Sequence, residues 1–444
     1  GITGLATAFQ LKQSGYSVTV LEKKSEPGGS MITEIADGYL VDYGPNSGLE
    51  TTPVIRELVE ALGLTDEMIY ANEEGNKRYI LKNGELIPLP TSPGRFFKTK
   101  LFSPKAKLRL FAEPFIGRSE DGYYQSISEF VTRRLGKEFL DYAINPFVAG
   151  VYAGNPDNLS VKSAFPKLYA LEENYGGLIK GTIKGAKERK KRGEESKQSA
   201  KMFSFKNGMQ SFAKALAENI KTVEYNCDVK KVLKTENGYT VKCEQDGEVK
   251  ELFCKKILST VPAYVAAEIF KELDEELARR LNEVYYPPVM ALYLGFDKSA
   301  IKTPLDGFGF LIPEKEKMSF LGAIWSSVIF KNRAPEGKAS FTIFVGGARS
   351  PEIFDKGEEE VYQKVLSEFK TVMKIKGEPE FVRKKLWKKA IPQYTLGYIE
   401  HENYFDKFEK ENSGIFLGGN YRGGISVGDC IKSSKSNGQL IMEN

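Results

Sequence analysis

The residues of this chain best suited to chemistry are glycines, one acid and a few cations. Gly1-Ile2-Thr3-Gly4 opens the sequence, Glu22-Lys23 follows a helix-spaced and then a β-branched stretch, and Gly28-Gly29-Ser30 and Asp42-Tyr43-Gly44-Pro45-Asn46 come next. Glycine N–H groups at a helix start can approach a pyrophosphate, and an acid about 20 residues on can accept from ribose hydroxyls. Gly1 and Gly4 fit the second and third glycines of that fingerprint, and Glu22 fits its acid. The plainer alternative is that the two glycines only let a helix pack close to a sheet. Such a fingerprint follows a buried strand, so a strand and a first glycine are expected ahead of Gly1. The later pairs predict tight turns that let main chain meet a bulky ligand without a Cβ in the way.

These residues need elements to hold them. Leu5, Ala8, Phe9 and Leu11 predict one apolar helix face, and Ser17 to Leu21 a strand that ends at Glu22. A helix is expected over Val54 to Leu64, then a strand pair turning at Lys82-Asn83-Gly84, with Arg78 in its first strand. Ser126-Ile127-Ser128-Glu129 is a capping box for a helix ended by Gly136; a second helix should break at Asn145-Pro146. Beyond it, Gly150 and Gly154 imply a close backbone approach. A helix to Asn219 leads into Val223 to Val229, a hairpin turns at Glu236-Asn237-Gly238, and Lys256 to Val261 reads as a buried strand. Residues 283–350 and 380–390 predict a second, largely antiparallel sheet. Near the end, a short strand, the turn Gly418-Gly419-Asn420 and a helix start around Ile425-Ser426-Val427 repeat the opening theme. That helix start could stabilise negative charge on a ligand, or serve only as a packing turn.

At 444 residues two or three domains are expected, and 41% hydrophobic with 28% charged residues is a globular balance. A net charge of +5 does not suggest a nucleic-acid binder. Cys227, Cys243, Cys254 and Cys430 form no metal-binding or disulfide spacing, and reduced thiols are expected. The single histidine, His401, is expected at the solvated surface, which argues against a His-based triad or metal centre. No run approaches the roughly 18 apolar residues of a transmembrane helix, and no signal peptide is visible. Between 95 and 118, Arg95, Lys98, Lys100, Lys105, Lys107, Arg109 and Arg118 alternate with Phe96, Phe97, Phe102, Phe111 and Phe115 against one acid, Glu113. That pattern suits a membrane interface, or a core helix with a basic solvated face. The charge run from Lys187 to Ser199 is expected to be a mobile loop.

Taken together, the chain resembles the porphyrinogen-oxidising branch of the flavin amine oxidase superfamily over nearly its whole length. The carriers are the opening glycines with Glu22 and Gly28-Gly29, then Asp42 to Pro45, Phe147 to Gly154, Phe165-Pro166 and Phe203 to Met209. Gly307 to Pro313, Asn332 to Pro335, Phe344 to Arg349 and Gly419 to Gly428 are specific to the branch. The resemblance implies an α/β fold: a dinucleotide domain of residues 1–50, 203–265 and 405–444, an antiparallel-sheet substrate domain of 51–94 and 266–404, and a helical membrane-associated insertion of 95–202. It implies noncovalent FAD and oxidation of protoporphyrinogen IX to protoporphyrin IX by six electrons, with dioxygen as acceptor, in heme formation. No catalytic side chain is implied beyond the flavin.

The cofactor would meet Gly1, Gly4, Glu22, Lys23, Gly28, Gly29, Ser30, Gly44, Pro45, Asn46, the main chain of Val229, Asn420, Ile425, Ser426 and Val427. Arg78 would pair with a substrate propionate, Leu311, Ile324 and Phe344 would sandwich the macrocycle, and the Gly150 main chain would face it. Ile324 departs from the leucine of some members. A peripheral membrane surface is implied, in the cytoplasm or at a mitochondrial inner membrane, with a homodimer left open. Coproporphyrinogen III oxidation is the alternative; an amine oxidase, a carotenoid desaturase and a flavin-free prenyl-protein escort module are more distant ones.

Overall fold

The computed structural model describes residues 1–72, 75, 77–192 and 200–443. Apolar spacing turns the Ile2–Gln13 helix inward, burying Leu5, Ala6, Ala8 and Phe9. It packs against the C-terminal helix Val427–Glu443 and the Gln210–Ile220 helix, and Pro53–Ala61 joins the same core. Beside them β1 (Val20–Leu21) pairs in parallel with β9 (Val223–Glu224), and β13 (Ile257–Ser259) pairs in parallel with β19 (Ile415–Leu417). β2 (Thr33–Ala36) and β3 (Tyr39–Asp42) form a hairpin, β8 (Met202–Phe205) lies between β4 (Gly48–Leu49) and β5 (Met68–Tyr70), and β10 (Cys227–Thr235), β11 (Gly238–Gln245) and β12 (Glu248–Cys254) form a meander.

The largest sheet is mixed. Its order is β18 (Phe381–Trp387), β14 (Val289–Asp297), β17 (Lys338–Gly346), β16 (Gly322–Ile324), β15 (Gly307–Leu311), β6 (Lys77–Lys82), β7 (Glu85–Pro88). Every pair is antiparallel except β6 with β15. Alternation gives it two faces. Phe310, Ala323 and Ile343 go into a core completed by Phe369 of the Glu358–Met373 helix, while Leu311, Ile324 and Phe344 sit only half-buried on the other face. Asn83 and Gly84, at φ 52° and 76°, make the tight turn between β6 and β7.

The helical segment 95–192 differs from expectation in two places. The helix does not break at Asn145-Pro146: Lys137–Phe139 runs through a wide π turn, Leu140–Ile144, into Asn145–Tyr152. Proline lacks an N–H donor and its ring crowds the carbonyl one turn back, and the widened turn before it accommodates both. Lys187 to Arg192 is not loop but the end of the Leu178–Arg192 helix; 193–199 lie outside the described residues. Good helix formers carry that end, and the first turn is anchored by a buried carboxylate, since Glu113 accepts from Leu178 N–H at 2.7 Å and Ile179 N–H at 3.1 Å. The strand expected from Ser17 shortens to Val20–Leu21, because its partner is only two residues long before the chain turns at Asn226, φ 54°. His401 is not solvated: its ring lies against Tyr398 and Phe405, and burial lowers its pKa. The four cysteines are free thiols. No helix among the described residues is long and apolar enough to cross a membrane.

Candidate cofactor and substrate site

The opening glycines meet the later glycine turns. A Cβ on Gly29 would lie 3.1 Å from Gly1 Cα, one on Gly44 would lie 2.0 Å from the Ser30 carbonyl, and one on Gly4 would lie 2.6 Å from Thr260 Oγ1. Gly28 and Gly29 also take positive φ, 127° and 65°. Side chains are excluded at Gly29 and Gly44 by contact with main chain, at Gly4 by the Thr260 side chain, and at Gly28 and Gly29 by conformation as well. Glu22 emerges from β1 with its carboxylate accepting from the Lys24 N–H at 3.1 Å, and the Lys24 ammonium donates to the Gly29 carbonyl at 2.8 Å. Lys23 pairs with Asp228 at 3.0 Å, which brings Val229, at a bulge in β10, to the same end. The result is a cradle of bare backbone with one acid at its rim. Bare main chain beside one acid is the chemistry that a dinucleotide-binding turn uses.

At the other end, Ser426 caps the Val427–Glu443 helix by accepting from Asp429 N–H at 3.1 Å, and Val427 shares a core with Ile2. Ile425 packs with Leu21 and Val229 on a second core. Sequence reasoning missed what holds this turn. Tyr394 accepts from Gly424 N–H at 2.9 Å and donates to the Asn420 carbonyl at 2.8 Å, and Tyr398 donates to the Tyr421 carbonyl at 2.6 Å. Burial holds both tyrosines well above their ordinary pKa, so they remain neutral donors. Gln210 was likewise missed: its amide accepts from Thr33 N–H at 3.0 Å and donates to the Pro27 carbonyl at 3.2 Å, fixing the 27–33 turn. Nothing in the local sequence marks these residues, because their partners lie far along the chain.

The residues expected at the substrate converge on the half-buried face of the large sheet. Leu311 pairs across Gly322 with Phe344, and Arg78 pairs with Gly309, whose other neighbour is Ile324. Two glycines between three apolar side chains leave a flat floor. Against it lies the Asn145–Tyr152 helix, where a Cβ on Gly150 would be 2.7 Å from Leu311 Cδ2. Arg78 is exposed at the edge, its guanidinium 5.4 Å from the Phe308 ring centre, and it forms no ion pair among the described residues. Glu73 and Glu74, considered as its surface partners, lie outside the described residues. A small cavity is lined by Asn46 and Ile324 among others.

The basic window divides. Phe96 and Phe102 pack with Phe139 in a local core, whereas Phe97, Phe111 and Phe115 are exposed, the last to 89%. Glu113 is not part of that surface. Its side chain is fully buried with Arg134 at 3.1 Å, and Arg134 also holds the buried Glu172.

A family profile described as flavin containing amine oxidoreductase matches residues 2–442. Protoporphyrinogen oxidase 2, chloroplastic/mitochondrial, of Arabidopsis thaliana is 33% identical over 469 residues, covering 100% of this chain and 92% of that protein. Coproporphyrinogen III oxidase of Bacillus subtilis (strain 168) is 28% identical over 451 residues, covering 98% and 95%. The crystal structure of a candidate protoporphyrinogen oxidase from Exiguobacterium sp. 255-15 superposes with a TM-score of 0.82 at 21% identity, covering 100% of this chain and 97% of that one.

Proposed function

The chain belongs to the family of flavin-containing amine oxidoreductases, and from that premise we propose that it oxidises protoporphyrinogen IX to protoporphyrin IX. Its cofactor is FAD, which when bound supplies the hydride acceptor and passes electrons to dioxygen. The observation that carries the substrate reading is the flat apolar floor of Leu311, Ile324 and Phe344, faced by Gly150 and edged by Arg78. A large disc-shaped substrate needs an apolar wall and a cation at the rim for its carboxylate; Gly150, packed directly on Leu311, borders that wall. Leu311 and Phe344 exclude water from the reacting edge, and glycines at 309 and 322 let the ring lie flat. Arg78 holds a propionate in its planar fork and so fixes which ring edge faces the cofactor. The cofactor would be held by Gly1, Gly4, Gly28, Gly29, Ser30 and Gly44 to Asn46 through main chain, by Glu22 at the ribose with Lys23 beside it, by Val229 at the adenine end and by Asn420 and Ile425 to Val427 at the ring.

We assign 1–61, 203–265 and 405–444 to FAD binding, 62–94 and 266–404 to substrate binding, and 95–202 to a helical insertion that meets a membrane surface peripherally, which moves the first boundary expected at residue 50 past the second helix. Because Pro53–Ala61 buries Val54, Ile55 and Leu58 in the same core as Ile2–Gln13, that helix belongs with the first domain. Exposed Phe97, Phe111 and Phe115 beside Lys98, Lys100 and Lys105 support the membrane reading. Coproporphyrinogen III is the second substrate reading, favoured by the similarity to the Bacillus subtilis protein.

Turnover of the two porphyrinogens in air, followed by porphyrin fluorescence and peroxide release, decides between them. A kcat/KM at least tenfold higher for protoporphyrinogen IX is expected. Preference for coproporphyrinogen III would transfer the assignment to it, and inactivity on both with FAD bound would remove the porphyrinogen reading.

A further inference from the structure

Two motifs left without a role, Asp42 and Arg333, meet in the interior. Asp42 ends β3, two residues before Gly44 of the cofactor turn. Its Oδ1 accepts from the Thr33 hydroxyl at 2.6 Å and Met209 N–H at 3.0 Å, and its Oδ2 has no partner. Arg333 donates through Nη2 to Ser204 Oγ at 2.7 Å and the Phe205 carbonyl at 3.1 Å, and its Nη1 has none. Nη2 stands 4.0 Å from Asp42 Oδ2, and the two side chains are 3% and 2% exposed. The Arg333 carbonyl accepts from Tyr293 of β14 and Ser340 of β17, each at 3.0 Å, so the residue is fastened to the substrate sheet.

Both side chains line the cavity that Asn46 and Ile324 share, together with the hydroxyl-bearing Ser326 and Thr342. That cavity admits a water-sized sphere over about 10 Å³, room for one molecule with several polar groups converging on it. A native core seldom leaves a carboxylate oxygen and a guanidinium N–H both unmet, and one bridging water would serve both.

We propose that Asp42 and Arg333, bridged by a buried water, are a positioning pair that locks the cofactor turn Gly44-Pro45-Asn46 to the substrate sheet. The pair touches neither reactant. It acts through Asn46 on one side and through the strand of Ile324 on the other, so that cofactor and substrate floor keep one spacing. The inference rests on the reading that residues 44–46 face FAD.

The test uses the full chain and FAD itself. Asp42→Asn and Arg333→Gln should each raise the FAD dissociation constant at least tenfold and alter the visible circular dichroism of the bound flavin. Each single change also strands a buried charge, so folding alone could suffer. The double variant Asp42→Asn/Arg333→Gln removes both charges: the melting temperature of its FAD-free form should return toward wild type while FAD affinity stays at least tenfold weak. Wild-type FAD affinity in the double variant would reduce the pair to core packing and overturn the proposal, as would single variants within twofold of wild type. If Glu22→Ala is silent as well, the cofactor reading itself has failed; if only the pair is silent, the positioning role has.

Discussion

The cofactor cradle and the helical insertion are held together by opposite means. The cradle is closed by side chains that are missing: Gly1, Gly29 and Gly44 let main chain touch main chain. The insertion is closed by charges that are buried: Arg134 lies between Glu113 and Glu172 with all three side chains at 1% exposure or less, and Arg133 adds a second donor to Glu172 at 2.9 Å. Closure by absence tolerates no added atom but needs no partner. Closure by charge demands every partner at once. Damage to the cradle should therefore show in FAD affinity, and damage to the insertion in stability.

The largest effect is expected in the insertion. Arg134→Met leaves buried Glu113 without its cation and Glu172 with Arg133 alone, at a cost of about 3–5 kcal/mol. Thermal unfolding should report it, with the FAD dissociation constant of the folded protein unchanged; a parallel loss of FAD affinity would break the contrast. The same network gives an acid limb. Burial alone would raise the Glu172 pKa, but hydrogen bonds from Ser119, Arg134 and Arg133 outweigh it and hold the group below its ordinary 4.5. A depressed carboxylate stabilises the fold above the unfolded value, and that stabilisation is lost as pH falls through the folded one. Stability should therefore decline below about pH 4.5, and Glu172→Gln, less stable at neutral pH, should show a flatter acid limb.

In the cradle, Gly44→Ala sets a methyl against the Ser30 carbonyl at 2.0 Å. A backbone carbonyl cannot swing aside, so about 3 kcal/mol, the upper end of the overpacking range, is expected. The FAD-to-protein ratio after purification should collapse, and full flavin loading would refute the close contact. Glu22→Ala removes a charge-assisted bond of about 1.5–3 kcal/mol, raising the FAD dissociation constant roughly tenfold to a hundredfold.

This contrast explains what could be read from the sequence. A glycine turn advertises itself locally, so Gly28-Gly29, Gly44-Pro45 and Gly418-Gly419 could be named from neighbours alone, and alternation exposed β14 and β17. A buried ion pair does not advertise itself. Arg134 looked like any helix arginine, and Glu113 looked like a stray acid in a basic surface, because its partners Leu178 and Ile179 are some 65 residues away. Tyr394 and Gln210 stayed hidden for the same reason. The continued helix through Pro146 was missed because a π turn has no composition of its own.

A smaller effect is expected at the rim of the substrate floor. Arg78 is exposed, and a solvent-screened carboxylate contact is worth about 1 kcal/mol at most. Arg78→Ala should thus raise KM about fivefold and leave kcat within twofold in the FAD-loaded enzyme. Unchanged constants would assign the guanidinium to its stacking on Phe308 alone.

The smallest intramolecular effect belongs to the basic window, and the structure dictates which cations should be changed. Lys107 is unsuitable: its ammonium donates to the Phe97 carbonyl at 2.8 Å and the Thr99 carbonyl at 2.7 Å, so replacing it would unfasten the 97–107 loop. Lys98, Lys100 and Lys105 are exposed and flank the bare rings of Phe97, Phe111 and Phe115. Each lysine near an anionic bilayer contributes about 1 kcal/mol, and burial of the three rings would add to it. Reversing the three lysines to Glu should leave turnover and melting temperature unchanged while moving the protein from floated anionic vesicles to the unbound fraction. Phe97→Ser with Phe115→Ser should weaken flotation on neutral vesicles too, since the rings act without charge. Flotation that responds to the lysines alone would mean an electrostatic surface with no insertion, and flotation that responds to neither would make this window a solvated face.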